Sequence, residues 1–300
     1  MNALLTIHVA LKQVRFRMMI LGAALALLCG CAGIPRQQLD NYVSSVAEAN
    51  QASQNILADW RSARAESDRR ANVQQPAATP IPLVRPAPPG AGRLALSSED
   101  TRALAWEVIA EYTATLARLN AGESVTEVKQ TAGRLFDLAT RISGSAFPGG
   151  GEIVALLQSL VGAIEQARLA AEFKKAVLAG APILHKIIDQ VLLLDIKDHY
   201  TLRATISAED HAAVEVEANL SAEDRRLQQA RIEDEFKAFA ATLDAYEVLL
   251  RQTDASLREM ERAVSKPVDF SSEANRLLDI TTVLKRQWAA YQNARSEGRK

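Results

Sequence analysis

The sequence predicts an all-α protein, an elongated antiparallel helical bundle with a coiled-coil hairpin near its C-terminus. Three observations carry that expectation. Apolar residues make up 48% of the 300 but aromatics only 5%, a composition rich in alanine and suited to helices rather than strands. Six of the ten prolines fall within residues 76–89, so the breaks are few and sharp and the segments between them are long. From Ile232 onward apolar residues recur at seven-residue steps for more than four heptads, the spacing of a helix that lays one seam against a partner.

The chain begins with basic residues Lys12, Arg15 and Arg17, an apolar run from Met18 to Leu28, and then Leu28-Cys29-Gly30-Cys31. The apolar run is about half the roughly 20 residues a helix needs to cross a bilayer, and basic residues precede it while small ones follow. This order resembles a bacterial lipoprotein signal peptide with its lipobox, a resemblance that covers only the first tenth of the chain. It implies cleavage before Cys31, diacylglycerol on the Cys31 sulfur and acylation of the freed amine. In a Gram-negative host, Ala32 in the position after the cysteine implies sorting to the outer membrane, with the chain facing the periplasm.

Removal of residues 1–30 changes what composition allows. Three of the 35 basic residues and none of the 36 acidic ones lie there, which leaves 32 against 36 and a formal charge of −4. Nucleic acid is not an expected partner, because no basic stripe is present to neutralise phosphates. Cys29 departs with the signal and Cys31 becomes a thioether, so disulfide, thiolate and Cys-rich metal chemistry are excluded from the mature chain.

Residues 31–75 form the lipidated N-terminus and a first helix, which Pro35 can open. Leu39, Tyr42, Val43 and Val46 make one apolar stripe, which Ile56, Leu57 and Trp60 continue. Arg61 to Arg70 is charged on nearly every face and reads as a solvated helix end. Residues 76–96 are a Pro-rich linker, expected to be extended at about 3.1 Å per residue. Its Pro82-Leu83-Val84-Arg85-Pro86 has the form of a PxxP ligand, a spacing common in any Pro-rich tether. Helix and linker together would set a stand-off from the membrane. Whether the first helix touches the rest is left open.

The bundle domain spans 97–300. Ser97 or Ser98 caps a helix presenting Ala105, Val108, Ile109, Tyr112, Leu116 and Leu119, which Gly122 ends. Ser124 and Glu127 form a capping box for a second helix carrying Val128, Leu135, Phe136, Leu138 and Ile142. The break at 143–151 contains three consecutive glycines but lacks the Lys and the preceding strand of a phosphate loop. Residues 152–164 are apolar on almost every face, and with 183–192 they should supply the core. Gly180 and Pro182 should break or kink that path. Ser207-Ala208-Glu209-Asp210 recurs as Ser221-Ala222-Glu223-Asp224, marking either two helix starts or two heptads of one helix.

The heptad seam sets Phe236, Leu243, Leu250, Leu257 and Val264 in one position and Ile232, Phe239, Tyr246, Thr253 and Met260 in the other. Residues 266–271 should reverse the chain. The final helix, with Leu277, Ile280, Leu284, Trp288 and Tyr291, should then return antiparallel along the seam, which could close within one chain or between two.

Catalytic patterns are weak. His185 with Asp189, and Asp195 with His199, stand four apart and could each offer two metal ligands, but no third ligand accompanies either pair. No mature His has a Glu three residues before it, and Gly-x-Ser-x-Gly is absent. No catalytic, cofactor or metal residue is therefore expected, and Cys31 is the one assigned site. The expected function is a lipid-anchored periplasmic scaffold or adaptor that binds an envelope protein or self-associates. The alternatives are a membrane-remodelling or pore-forming bundle that exposes 152–164, and a metal-dependent enzyme.

Overall fold

The computed structural model describes residues 34–74, 98–123, parts of 127–141, residue 158, 170–194, 196–266 and 269–297. The lipobox at 28–31, the linker at 76–96, Ser124, Pro267, the break at 143–151 and all but Gln158 of the apolar segment 152–164 lie outside the described residues. Those described form an all-α bundle. Its helices are α1 (Arg36–Gln74), α2 (Ser98–Ala121), α3 (Ala170–Ile187), α4 (Ile196–Val216), α5 (Ala222–Ala263) and α6 (Ser271–Glu297). A six-residue π-helical stretch, Ile188–Leu193, joins α3 to α4.

The first helix is part of the core. Leu39, Tyr42, Val46, Ile56, Leu57 and Trp60 are all buried within one cluster with residues of α2, α3, α5 and α6. A 39-residue helix with its apolar stripe exposed would forfeit roughly 1.5–3 kcal/mol for each large side chain left in water, so it docks rather than standing apart as a spacer. Pro35 lies just before α1, its carbonyl accepting the amides of Gln38 and Leu39 at 3.0 and 3.1 Å. At the other end of α2, Gly122 has φ of +70°. The amides of Gly122 and Glu123 turn back to Leu119 and Arg118 at 3.1 Å each, a left-handed helix stop that favours glycine.

Cross-contacts fix the directions. Asn120 donates to the Ile34 carbonyl at 3.0 Å while Arg61 meets Asp100 at 3.5 Å, so α1 and α2 are antiparallel. Ser256 donates to Glu273 at 3.2 Å and Arg295 approaches Glu235 at 4.0 Å, so α5 and α6 are antiparallel too. Ile34, Asn120 and the turn before α6 share one end, where Gln38 donates to Asp269 and accepts the Phe270 amide. The α4–α5 turn lies at the other end. We call these the base and the tip.

The heptad seam is buried as expected at Phe239, Leu243, Tyr246, Leu250, Thr253, Leu257, Met260 and Val264, while Ile232 and Phe236 are half-buried. A third heptad position, Thr242, Leu249, Ser256 and Ala263, is buried with it. Three positions per heptad make a face wide enough for several neighbours, where a two-stranded coiled coil uses two. The neighbours are α6, α3, α4 and α1 of the same chain, so the seam closes within the chain.

The structure bears on two expectations about α3 and α4, removing the break, though not the kink, at Gly180 and Pro182. Gly180 and Pro182 do not end the helix, which runs through both. A Cβ at Gly180 would stand 2.3 Å from the Tyr112 ring, and the Tyr112 hydroxyl donates to the Ala176 and Val177 carbonyls at 3.0 and 3.3 Å. Glycine is there so that an aromatic ring can lie against the helix backbone. The repeated Ser-Ala-Glu-Asp is neither two caps nor one helix: Ser221 caps α5, accepting the Asp224 amide at 3.1 Å, whereas Ser207 lies inside α4.

Candidate functional site

One acid on α1 organises the interior near the tip. Asp59 is 4% exposed and shares the buried face with Ile56, Leu57, Trp60 and Ala63. Arg203 of α4 reaches it from one side, Nε at 3.1 Å and a terminal nitrogen at 2.5 Å. From α6, the Tyr291 hydroxyl donates at 3.1 Å and Arg295 at 2.9 Å. A carboxylate this deep is tolerated because charge-assisted hydrogen bonds replace its water. Burial alone would raise its pKa, but His199 and Arg203 more than offset that and hold it below the usual carboxylate range.

His199 completes the cluster. Its ring is fully buried, stacked on Trp60 at 4.6 Å and 5° and edge-on to Phe239 at 4.9 Å. Nε2 stands 3.5 Å from Asp59, longer than a well-formed hydrogen bond, and neither ring nitrogen has a hydrogen-bond partner among the described residues. Burial lowers its pKa, and the neighbouring charges of Arg203 and Arg102 act in the same direction against the pull of Asp59. The ring is therefore held neutral. Arg102 of α2 lies over the Trp60 ring at 3.9 Å, so five helices meet around this group: α1, α2, α4, α5 and α6.

The spacing-based pairs do not form. His199 faces Asp59, 140 residues away, rather than Asp195, which lies outside the described residues. His185 pairs through Nδ1 with Asp254 and lies 3.6 Å through Nε2 from Glu261, both on α5, while Asp189 is exposed. With its two nitrogens turned to two acids, His185 ties α3 to α5. Among the described residues no group of three or more His, Cys, Asp or Glu is arranged to hold a metal ion. Sequence reasoning passed over Asp59, Arg203 and Arg295. The available signal was an acid adjoining Trp60 on an apolar stripe, which a soluble helix keeps only with a partner.

Above this cluster lies a trough of about 520 Å³. Ile206, Ala213, Val214 and Ile232 contribute its apolar lining, Tyr291 and Phe239 line the narrower cleft beneath, and Glu66, Asp210, Glu217 and Glu235 stand around it together with Arg203, Arg231 and Arg295. Arg70 bridges its edge, meeting Glu66 at 2.5 Å and Asp210 at 2.7 Å.

Compared with protein-family models, with curated proteins and with solved structures, the chain matches none.

Proposed function

We propose that this chain is a lipid-anchored helical scaffold of the bacterial envelope, held at the outer membrane through Cys31 and presenting its far end to a protein partner. The observation that carries the reading is the position of Ile34. It is buried at the base of the bundle, three residues after the lipobox cysteine. A lipid on Cys31 would hold the base directly against the membrane, with no spacer between. The 39 residues of α1 then set the tip about 58 Å away at 1.5 Å per residue. The α5–α6 pair is the stiff member, packed through a coiled-coil-type seam that its own chain occupies. Association therefore uses outer surfaces rather than the seam.

Fractionation with in-cell photo-crosslinking tests this, using a photoreactive residue at exposed positions Leu227, Val248 and Val283. The wild-type chain should float with outer membranes and yield a specific envelope protein. Cys31→Ala should be soluble and lose that product. Retention of Cys31→Ala in the membrane, or crosslinks to lipid alone, would contradict the reading.

A second reading, insertion into lipid, has one observation in its favour. The helical stretch Phe173–Val216 contains an 18-residue window of mean hydropathy 1.6, only half of it buried. The core helix of a soluble bundle has the same properties, and His199 and Arg203 within the stretch face Asp59. A fluorophore on Leu157→Cys separates the two: quenching by bilayer-embedded nitroxides supports insertion, and its absence supports the scaffold.

A further inference from the structure

Three histidines lie among the described residues, and two of them face acids. His185 turns its ring nitrogens to Asp254 and Glu261 of α5, and His211 of α4 approaches Glu233 of α5 at 3.7 Å. A proton added to either ring meets a carboxylate. His199 is placed differently. Arg102 of α2 and Arg203 of its own helix oppose a charge on its ring, and α5 offers it the uncharged edge of Phe239. On α6, Tyr291 and Arg295 both bond Asp59, and Arg295 also approaches Glu235 of α5 at 4.0 Å. Asp59 of α1 is the acid nearest the ring, and it already accepts four hydrogen bonds from Arg203, Tyr291 and Arg295, about the full capacity of a carboxylate. A charged imidazole there is a fourth cation beside three arginines, fully out of water.

The helix that carries His199 has little else to hold it. Of its 21 residues α4 buries four, His199, Arg203, Ile206 and Val214, and only the last two are apolar. By contrast α5 buries eleven. Both ends of α4 also leave the core. Ile188, Val191 and Leu192 fix the π-helical stretch before it, but Leu194 is 65% exposed, and after it Glu217, Ala218 and Asn219 are exposed. A π-helical stretch departs from regular helix bonding and is frequent at functional sites. An element with few buried apolar side chains is the one that opens locally, at a lower free energy than the whole fold.

We infer that α4 is an acid-released gate: charging of His199 opens α4 locally, between the π-helical stretch and the α4–α5 turn, and uncovers the faces of Trp60 and Phe239 against which the imidazole lies. The packing of α1, α5 and α6 persists beneath it. Opening returns His199 to water and to its ordinary pKa of 6.5, above the value it has in the closed form. The open form therefore binds the extra proton, and opening is favoured as pH falls. Between pH 7.5 and 5 the opening constant can rise by at most about thirtyfold, the limit for a ring that takes no proton while closed.

Amide exchange read by mass spectrometry on the full chain, at pH 7.5 and 5 and corrected for the intrinsic pH dependence of exchange, tests this. A released helix of this length is marginal in water, so its amides exchange once it opens. Peptides from 196–216 should exchange faster than those from 243–260 at both pH values, and their opening should depend little on added urea. Their opening constant should rise by about tenfold or more in acid. His199→Phe, which still fills the space between Trp60 and Phe239, should abolish the rise. His199→Gln, polar but never charged, is the second variant and should do the same, while His211→Asn should leave the rise intact. Exchange of both regions with one free energy and one urea dependence would overturn the gate, because α4 would then open only when the whole chain unfolds. An opening constant that is the same at both pH values, a rise that survives in either His199 variant, or a rise that His211→Asn removes would overturn it as well.

Discussion

Asp59 joins three helices through a single carboxylate, and the stability of the tip half of the bundle depends on it. Replacing one partner of a buried ion pair leaves the other charge without compensation, so Asp59→Asn should cost about 3–5 kcal/mol, read as a fall in the urea midpoint. His199 gives the cluster its pH dependence. Its folded pKa lies below the ordinary 6.5, so its contribution is complete above pH 6.5 and is lost as pH falls towards the folded value, where the buried ring must charge. Asp59, held below its ordinary 3.8, contributes above that pH and loses its contribution only as pH falls through its own lower value. Thermal unfolding from pH 7.5 to 5 should therefore show a decline in the wild type that His199→Phe flattens. An equal decline in both would place the titrating group elsewhere. Little of this was legible in the sequence, because the cluster draws on positions 59, 199, 203, 291 and 295 and no local spacing links them. Only the burial of Trp60 and Tyr291 could be read from helical periodicity.

At the scale of the element, two identical tetrapeptides have different fates. Ser221 has a turn before it and a free amide at Asp224 to accept; Ser207 lies inside α4, where the Asp210 amide already has a helical acceptor one turn back. Ser221→Ala should cost about 1 kcal/mol, the usual loss of an N-cap, while Ser207→Ala should stay within about 0.5 kcal/mol, both measured by chemical unfolding. Gly180→Ala pushes a methyl into the Tyr112 ring and should destabilise by about 1–3 kcal/mol, as overpacking does. The long periodic elements α1, α2, α5 and α6 were legible because each carries its own apolar stripe. The path through Gly180 and Pro182 was not, since the glycine answers to a ring contributed from 68 residues away. The breadth of the α5 face also escaped: Thr242, Ser256 and Ala263 are small or polar and leave no hydrophobic signal at the third heptad position.

At the scale of the whole molecule, the account depends on α1 being built into the bundle. Sequence periodicity gave its stripe but could not say what covers it, because residues of the covering helices lie as much as 237 positions away. Ser45 donates to the Ala274 carbonyl at 3.0 Å and Lys285 reaches Glu48 at 2.8 Å. Those contacts make the base of the bundle, and not the tip of a spacer, the part nearest Cys31. Native-state hydrogen exchange tests this most directly. If α1 and α5 share one core, amides from Leu39 to Ala63 should open with the same free energy as those from Leu243 to Met260 and respond identically to denaturant. Exchange of α1 through a separate, low-energy opening while α5 stays protected would show an independent arm. The base would then no longer be tied to the lipid anchor proposed at Cys31.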